Sequence, residues 1–149
     1  MTDKLISFET AKLAKEKGFN IPVNGVYVDN GTLSFARDND ETDYNWNERK
    51  GYSAPTQSLL QKWLREKHDI HVNINSRYNP RKIGDKVLYC YDISTKENNY
   101  NDMNNNYDTW LGWNQENDIP ILMYRTFNTF EKTLEVALQE ALKLIVNPV

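Results

Sequence analysis

The chain offers few side chains that could carry chemistry. Its two histidines, His68 and His71, stand three residues apart, and its one cysteine is Cys90. Two histidines at that spacing on one helix face would suit a zinc ion. Here Asp69-Ile70 falls between them, where a helical pattern gives way to strict alternation. His68 is therefore expected at a charged helix end and His71 on the wet face of a strand, with their rings turned apart. Cys90 beside either histidine would make a nucleophile and base pair. Its neighbours Val87-Leu-Tyr89 and Tyr91 instead imply a buried, inert thiol. Asp38-Asn-Asp-Glu-Thr-Asp43 alternates carboxylates like a calcium loop, but position six is Asp43 rather than glycine and position twelve is Arg49 rather than glutamate. Phosphate-binding loops, dinucleotide fingerprints and the hydrolase elbow have no counterpart in the sequence. With 21 acidic residues, neighbouring carboxylates arise by chance and carry no signal. The pattern contains no catalytic constellation and implies a non-enzymatic protein with no metal and no cofactor.

Binding has more to work with. Between Lys62 and Lys86 the bases Lys62, Arg65, Lys67, Arg77, Arg81, Lys82 and Lys86 outnumber Glu66, Asp69 and Asp85, a local excess of +4 in a chain of net charge −3. Arg77, Arg81 and Lys82 cluster with Tyr78 in a turn, a cation and stacking combination suited to phosphate or to an acidic protein face. Set against this, charge runs often only keep a turn in water. A second group of candidates is aromatic: Tyr44, Trp46, Tyr100 and Trp113, together with Tyr107 and Trp110, lie in or beside polar segments rather than in amphipathic stripes. Aromatic residues in that setting are enriched at interaction hot spots, although strand core is an alternative for some of them.

The elements that must position these groups follow from punctuation and periodicity. Ser7 before Phe8 and Gly18 after Lys17 bracket a first helix over 8–17, with Phe8, Ala11 and Ala14 inward. Val26-Tyr-Val28 and Thr32-Leu-Ser-Phe35 read as a hairpin around Asn30-Gly31, which supplies positive backbone φ. Residues 37–51 read as a long polar loop. A second helix is expected from Ser53 as cap, with Pro55 in its first turn, to Lys67, its apolar face Leu59, Leu60, Trp63 and Leu64. Ile70, Val72 and Ile74 alternate with polar residues, and 86–93 supplies the partner strand, the turn between them spanning 76–85. Segment 94–117 is Asn-rich and reads as a long polar excursion, with further strands at 107–113 and 119–127 and Pro120 confined to an edge. A last helix over 130–146, capped by Asn128 or Thr129, carries the stripe Phe130, Leu134, Leu138, Ala141, Leu142 and Ile145.

Strands arriving as hairpins rather than alternating with helices specify an α+β fold: an antiparallel sheet with about three helices packed on one face. At 149 residues the chain is expected to form a single domain. The apolar fraction is about 37% on the usual definition, below the ~45–50% of an average domain. The 19 asparagines and 11 aspartates account for the difference, and they concentrate in the two long loops. The N-terminal segment lacks the apolar core of a signal peptide, and the longest apolar runs, 87–91 and 119–124, fall far below the ~20 residues of a membrane span. A cytoplasmic protein with no membrane association is expected, consistent with its single cysteine.

Three stretches together resemble a family of small uncharacterised proteins that recur in phages and prophages of Bacteroidetes bacteria. They are Ile6-Ser-Phe-Glu-Thr-Ala-Lys-Leu-Ala-Lys-Glu-Lys-Gly-Phe19, Tyr52-Ser-Ala-Pro-Thr-Gln-Ser-Leu-Leu-Gln-Lys-Trp-Leu-Arg-Glu-Lys-His-Asp-Ile-His-Val72 and Thr133-Leu-Glu-Val-Ala-Leu-Gln-Glu-Ala-Leu-Lys-Leu-Ile145. The central stretch is the most specific, and the Asn-rich excursion is longer than in that family. The resemblance implies a phage-linked accessory protein in the cytoplasm of a bacterial host, and it brings no catalytic residues with it. The expectation is a protein that binds a host or phage macromolecule, with an anti-defence role such as inhibition of a CRISPR effector as one version. The alternative is RNA or DNA binding through the basic hairpin at 77–86.

Overall fold

The structure, a computed structural model, describes residues 3–35, 43–78, 87–95, 99–100, 113–114, 119–120 and 127–146, with backbone alone at 77–78, 99–100, 113–114 and 119–120. It has the expected α+β architecture: among the described residues there are three α-helices, and the strands pair antiparallel. Among the described residues the strands form three small sheets. The chain divides into two compact units, Met1–His68 with Leu138–Val149, and Asp69–Ala137.

In the first unit, helix α1 spans Phe8–Glu16. The Ser7 hydroxyl accepts from the Thr10 amide, satisfying one of the donors a helix start leaves unpaired. Gly18 ends the helix at φ +89°, so that the Phe19 amide reaches the Ala14 carbonyl and the Gly18 amide the Lys15 carbonyl, the paired bonds of a Schellman motif. Ala11 and Ala14 are buried as expected, whereas Phe8 is only half-buried and Thr10 is fully inside.

Strands β1 (Gly25–Tyr27), β2 (Leu33–Phe35) and β3 (Tyr52–Ser53) form a sheet in the order β2-β1-β3. The expected hairpin is present with its loop over 29–31, but Asn30 does not share the positive φ expected of Asn30-Gly31. Only Gly31 has positive φ, its amide donates to Val28 and the Val28 amide to Thr32. This is a three-residue loop closed by a glycine bulge rather than a two-residue turn with both centres left-handed.

Helix α2 spans Gln57–His68, a turn later than the sequence pattern places it. Pro55 disfavours helical geometry at Ala54, and the extended stretch is occupied: the Ala54 amide donates to Gly25 and the Pro55 carbonyl accepts from Ile6. Thr56, not Ser53, caps the helix, its hydroxyl accepting from the Leu59 amide. Leu60, Trp63 and Leu64 are buried, and Trp63 meets Phe19 edge-on with ring centroids 5.3 Å apart. The last part of helix α3 (Phe130–Lys143) joins this core through Leu138, Ala141 and Leu142, followed by Ile145. The Gln139 amide donates to the Thr10 hydroxyl and the Lys17 ammonium to the Ile145 carbonyl. The helix stops at Lys143 rather than Val146, because its end tightens into bonds three residues back from Leu144 and Ile145.

The second unit is built on a long hairpin. Strand β4 (Ile70–Tyr78) pairs with β5 (Val87–Thr95) in continuous register from Ile70 opposite Thr95 to Tyr78 opposite Val87. Ile70 and Val72 are buried on one face with Tyr91 and Ile93, the alternation read from the sequence. Strand β6 (Asn99–Tyr100) pairs with Ile93 and Ser94 of β5. Strands β7 (Trp113–Asn114) and β8 (Ile119–Pro120) pair with each other. Tyr89 and Phe127 exchange two backbone hydrogen bonds of 2.9 Å. Thr129, rather than Asn128, caps α3 by accepting from the Lys132 amide, and Leu134 is buried while Phe130 remains 45% exposed against Tyr89.

Candidate interaction surface

Of the polar loop expected over 37–51, residues 43–51 are described, and their backbone is tied down along its length. Tyr44 and Val23 exchange two hydrogen bonds, of 2.9 and 3.0 Å. Asn45 accepts from the Asn47 amide and opens a short 3-10 turn over Trp46–Glu48. The Asn47 side chain then works in two directions, donating to the Phe19 carbonyl at 2.8 Å and accepting from the Ser53 amide at 2.8 Å. The Trp46 indole donates to the Val23 carbonyl at 2.8 Å. On the far side, the Lys15 ammonium donates to the carbonyls of Arg49 and Gly51 while lying 4.8 Å over the Tyr52 ring. Gly51 is required there, since a Cβ would stand 2.5 Å from the Val26 Cγ2.

This scaffold presents Tyr44, 44% exposed, with Trp46 tilted against it at 5.4 Å between ring centroids and the Arg49 guanidinium 5.1 Å over its ring. Tyr44 and Trp46 are thus brought together as a unit, and they differ in role. Tyr44 faces water, whereas Trp46 is half-buried with its polar edge committed to Val23. Arg49, Asn47 and Lys15 were not among the residues singled out from sequence. The Asn-x-Asn spacing around Trp46 is the one signal that marks a turn able to hold itself together.

The other candidates fall in the second unit. Arg77 and Tyr78 occupy the last two positions of β4, Tyr100 lies in β6 and Trp113 in β7, while Arg81 and Lys82 lie outside the described residues. Upstream of Arg77, β4 carries a polar row. The Asp92 carboxylate accepts from the amides of Asn73 and Asn75 through separate oxygens, at 2.9 and 2.8 Å. His71, in the same row, holds the Asp69 carboxylate at 2.9 Å.

His71 is partly exposed, as expected. His68 closes α2 beside Arg65 and Lys67, the charged helix end expected of it, and in addition its Nε2 is buried, its ring packs edge-on against Trp63 at 4.6 Å, and burial together with the neighbouring Lys67 charge holds its pKa below the usual value. The cause is the length of α2, whose last turn runs on to His68 and carries the ring into the Trp63 side of the core. Cys90 is a buried thiol. It faces Asn75 in the register, four residues along the strand from His71, ~13 Å at the rise of a β-strand, so the hairpin does not pair these two groups. Among the described residues no group of three or more His, Cys, Asp or Glu side chains could hold a metal ion, and no helix is long and apolar enough to cross a membrane.

No family model, curated protein or solved structure matches the chain.

Proposed function

We propose that this chain is a non-enzymatic interaction protein, encoded by a phage or prophage, that binds a host or phage protein through the surface formed by Tyr44, Trp46 and Arg49. The observation that carries this reading is an exposed tyrosine with an arginine cation over its ring, standing on backbone already fixed by Lys15, Asn47 and Val23. Side chains ordered before a partner arrives lose little freedom on binding, and Tyr, Trp and Arg are the residues that dominate hot spots. The three stretches that resemble phage proteins support the phage link and a bacterial cytoplasmic setting. Anti-defence activity, such as blocking a CRISPR effector, is the version of this function that the resemblance favours.

The test is capture from a host lysate by the tagged protein, with a Tyr44→Ala, Arg49→Ala double variant as the comparison. A partner retained by the native chain and released by a variant with unchanged folding supports the reading. Repeated return of nothing above background ends it.

RNA or DNA binding is the second reading, favoured by one observation: Arg77 follows His71, Asn73 and Asn75 in the alternation of β4, and Arg81 and Lys82 follow it in the sequence. It requires affinity that falls steeply with salt and that collapses on charge reversal at Arg77, Arg81 and Lys82. Salt-independent binding removes it.

A further inference from the structure

We infer that the Arg49 guanidinium is the docking point for a carboxylate of the protein partner, an inference that rests on the protein-binding reading of the Tyr44 surface. Arg49 is exposed, and its backbone is fixed at both ends, the amide donating to the Trp46 carbonyl and its own carbonyl accepting from Lys15. Its side chain lies over the Tyr44 ring. A guanidinium held near an aromatic face by cation–π attraction still offers a planar fork of N–H donors, which matches the two oxygens of a carboxylate. The ion pairs found among the described residues involve Lys12, Lys62, His71 and Lys143, and none engages Arg49 or the adjacent Lys50. The guanidinium is therefore held over Tyr44, exposed and in no ion pair with a carboxylate among those residues.

Charge decides between a carboxylate and a nucleic-acid backbone. Asp43 and Glu48, both exposed, flank the pair in the chain. A nucleic-acid strand carries one negative charge every ~3.4 Å, so a strand laid across Tyr44 would bring several phosphates against these acids. A single carboxylate on Arg49, next to Lys50 in the chain, brings one negative charge rather than several and so meets less of that repulsion. Tyr44 and Trp46 would then cover the apolar part of the partner side chain.

The experiment follows the Arg49 Nε–H of the native chain, and in native and variant chains alike the Trp46 indole and the backbone amides of 43–51, by NMR during titration with acetyl-Leu-Glu-Leu-amide. The matched peptide with Gln in place of Glu and a ten-residue oligothymidylate serve as the alternative probes. The expected result is a saturable shift at Arg49 with the Glu peptide, none with the Gln peptide, at least a fivefold weakening in Arg49→Lys, and loss in Arg49→Gln, with the amide spectrum otherwise unchanged. Lysine supplies a point charge without the planar fork, so it separates a docking arginine from mere positive charge. An equal response to both peptides, no saturable shift up to about 20 mM, or tighter binding of the oligonucleotide overturns the inference. A native chain that captures a host protein through Tyr44 yet shows no carboxylate preference sinks this inference alone. A native chain that captures nothing sinks the protein-binding reading itself.

Discussion

The Lys15 ammonium and the Gly51 carbonyl meet at 2.9 Å across 36 residues of chain, joining the last turn of α1 to the end of the aromatic segment. The same ammonium bonds the Arg49 carbonyl at 2.7 Å and covers the Tyr52 ring, so one side chain fixes the backbone on which the Arg49 and Tyr44 pair stands. Lys15→Met keeps the length of the side chain and removes the charge and donors. Hydrogen bonds to a charged group contribute ~1.5–3 kcal/mol each, less where water competes, so a loss of about 2 kcal/mol is expected. Chemical denaturation measures it, and faster amide exchange confined to 43–52 would place the loss in this segment.

Gly51→Ala should cost about 1–3 kcal/mol through overpacking, because its Cβ would fall 2.5 Å from Val26. Val26→Ala in the same chain should recover part of that loss. Strict additivity of the two substitutions in denaturation midpoints would show that they do not touch.

Asn47 separates its two roles by substitution. Asn47→Asp retains the oxygen that accepts from Ser53 but loses the donor to Phe19 and sets a carboxylate against that carbonyl. Asn47→Ala loses both side-chain bonds. Both variants should be destabilised by ~1–3 kcal/mol, the range for leaving partly buried backbone groups unsatisfied, and Ala should be the more stable of the two if the Ser53 bond contributes nothing.

The folded-state pKa of His68 lies below 6.5, chiefly because burial disfavours the charged ring and secondarily because Lys67 repels it. In the window between that lowered value and 6.5 the unfolded chain binds more protons than the folded chain, so stability rises with pH there. Its contribution is complete above 6.5 and is lost as pH falls through the folded-state pKa. His68→Gln should flatten this part of the profile, so native and variant stabilities converge on acidification from pH 7.5 towards 5.5. Parallel profiles would assign the slope to other groups.

Asp69 adopts φ +54°, the left-handed geometry that a helix end usually gives to glycine. Asp69→Gly should relieve about 1 kcal/mol of strain and forfeit the contact with His71, giving a thermal midpoint equal to or above the native one. Asp69→Val, with a branched Cβ, should lower it clearly.

Local structure was legible wherever one residue type suffices to set the backbone. Ser7 and Gly18 bracket α1 as their chemistry demands, and Ile70, Val72 and Ile74 reveal β4 by alternation alone. The start of α2 was misplaced because Ser53 and Pro55 make a good helix opening in isolation, while β1 and the Lys4–Ile6 segment hold that stretch extended. The helix-end position of His68 is legible from its charged neighbours, but its packing on Trp63 is not, since that contact depends on how far α2 runs.

For the candidate surface the division is sharper. Tyr44 and Trp46 could be picked out because aromatic residues in a polar, Asn-rich segment lack a local amphipathic face to bury them. Their arrangement could not, since it rests on Val23, Phe19 and Lys15, all more than twenty residues away or on another element. The sequence by itself determined the α+β class, the helix caps, the strand alternation and which residues were surplus to the core. Tertiary structure alone decided that Lys15 spends its charge on two backbone carbonyls and that Arg49 lies over Tyr44. Those contacts join distant segments, and nothing in the spacing of the chain encodes where such segments will meet.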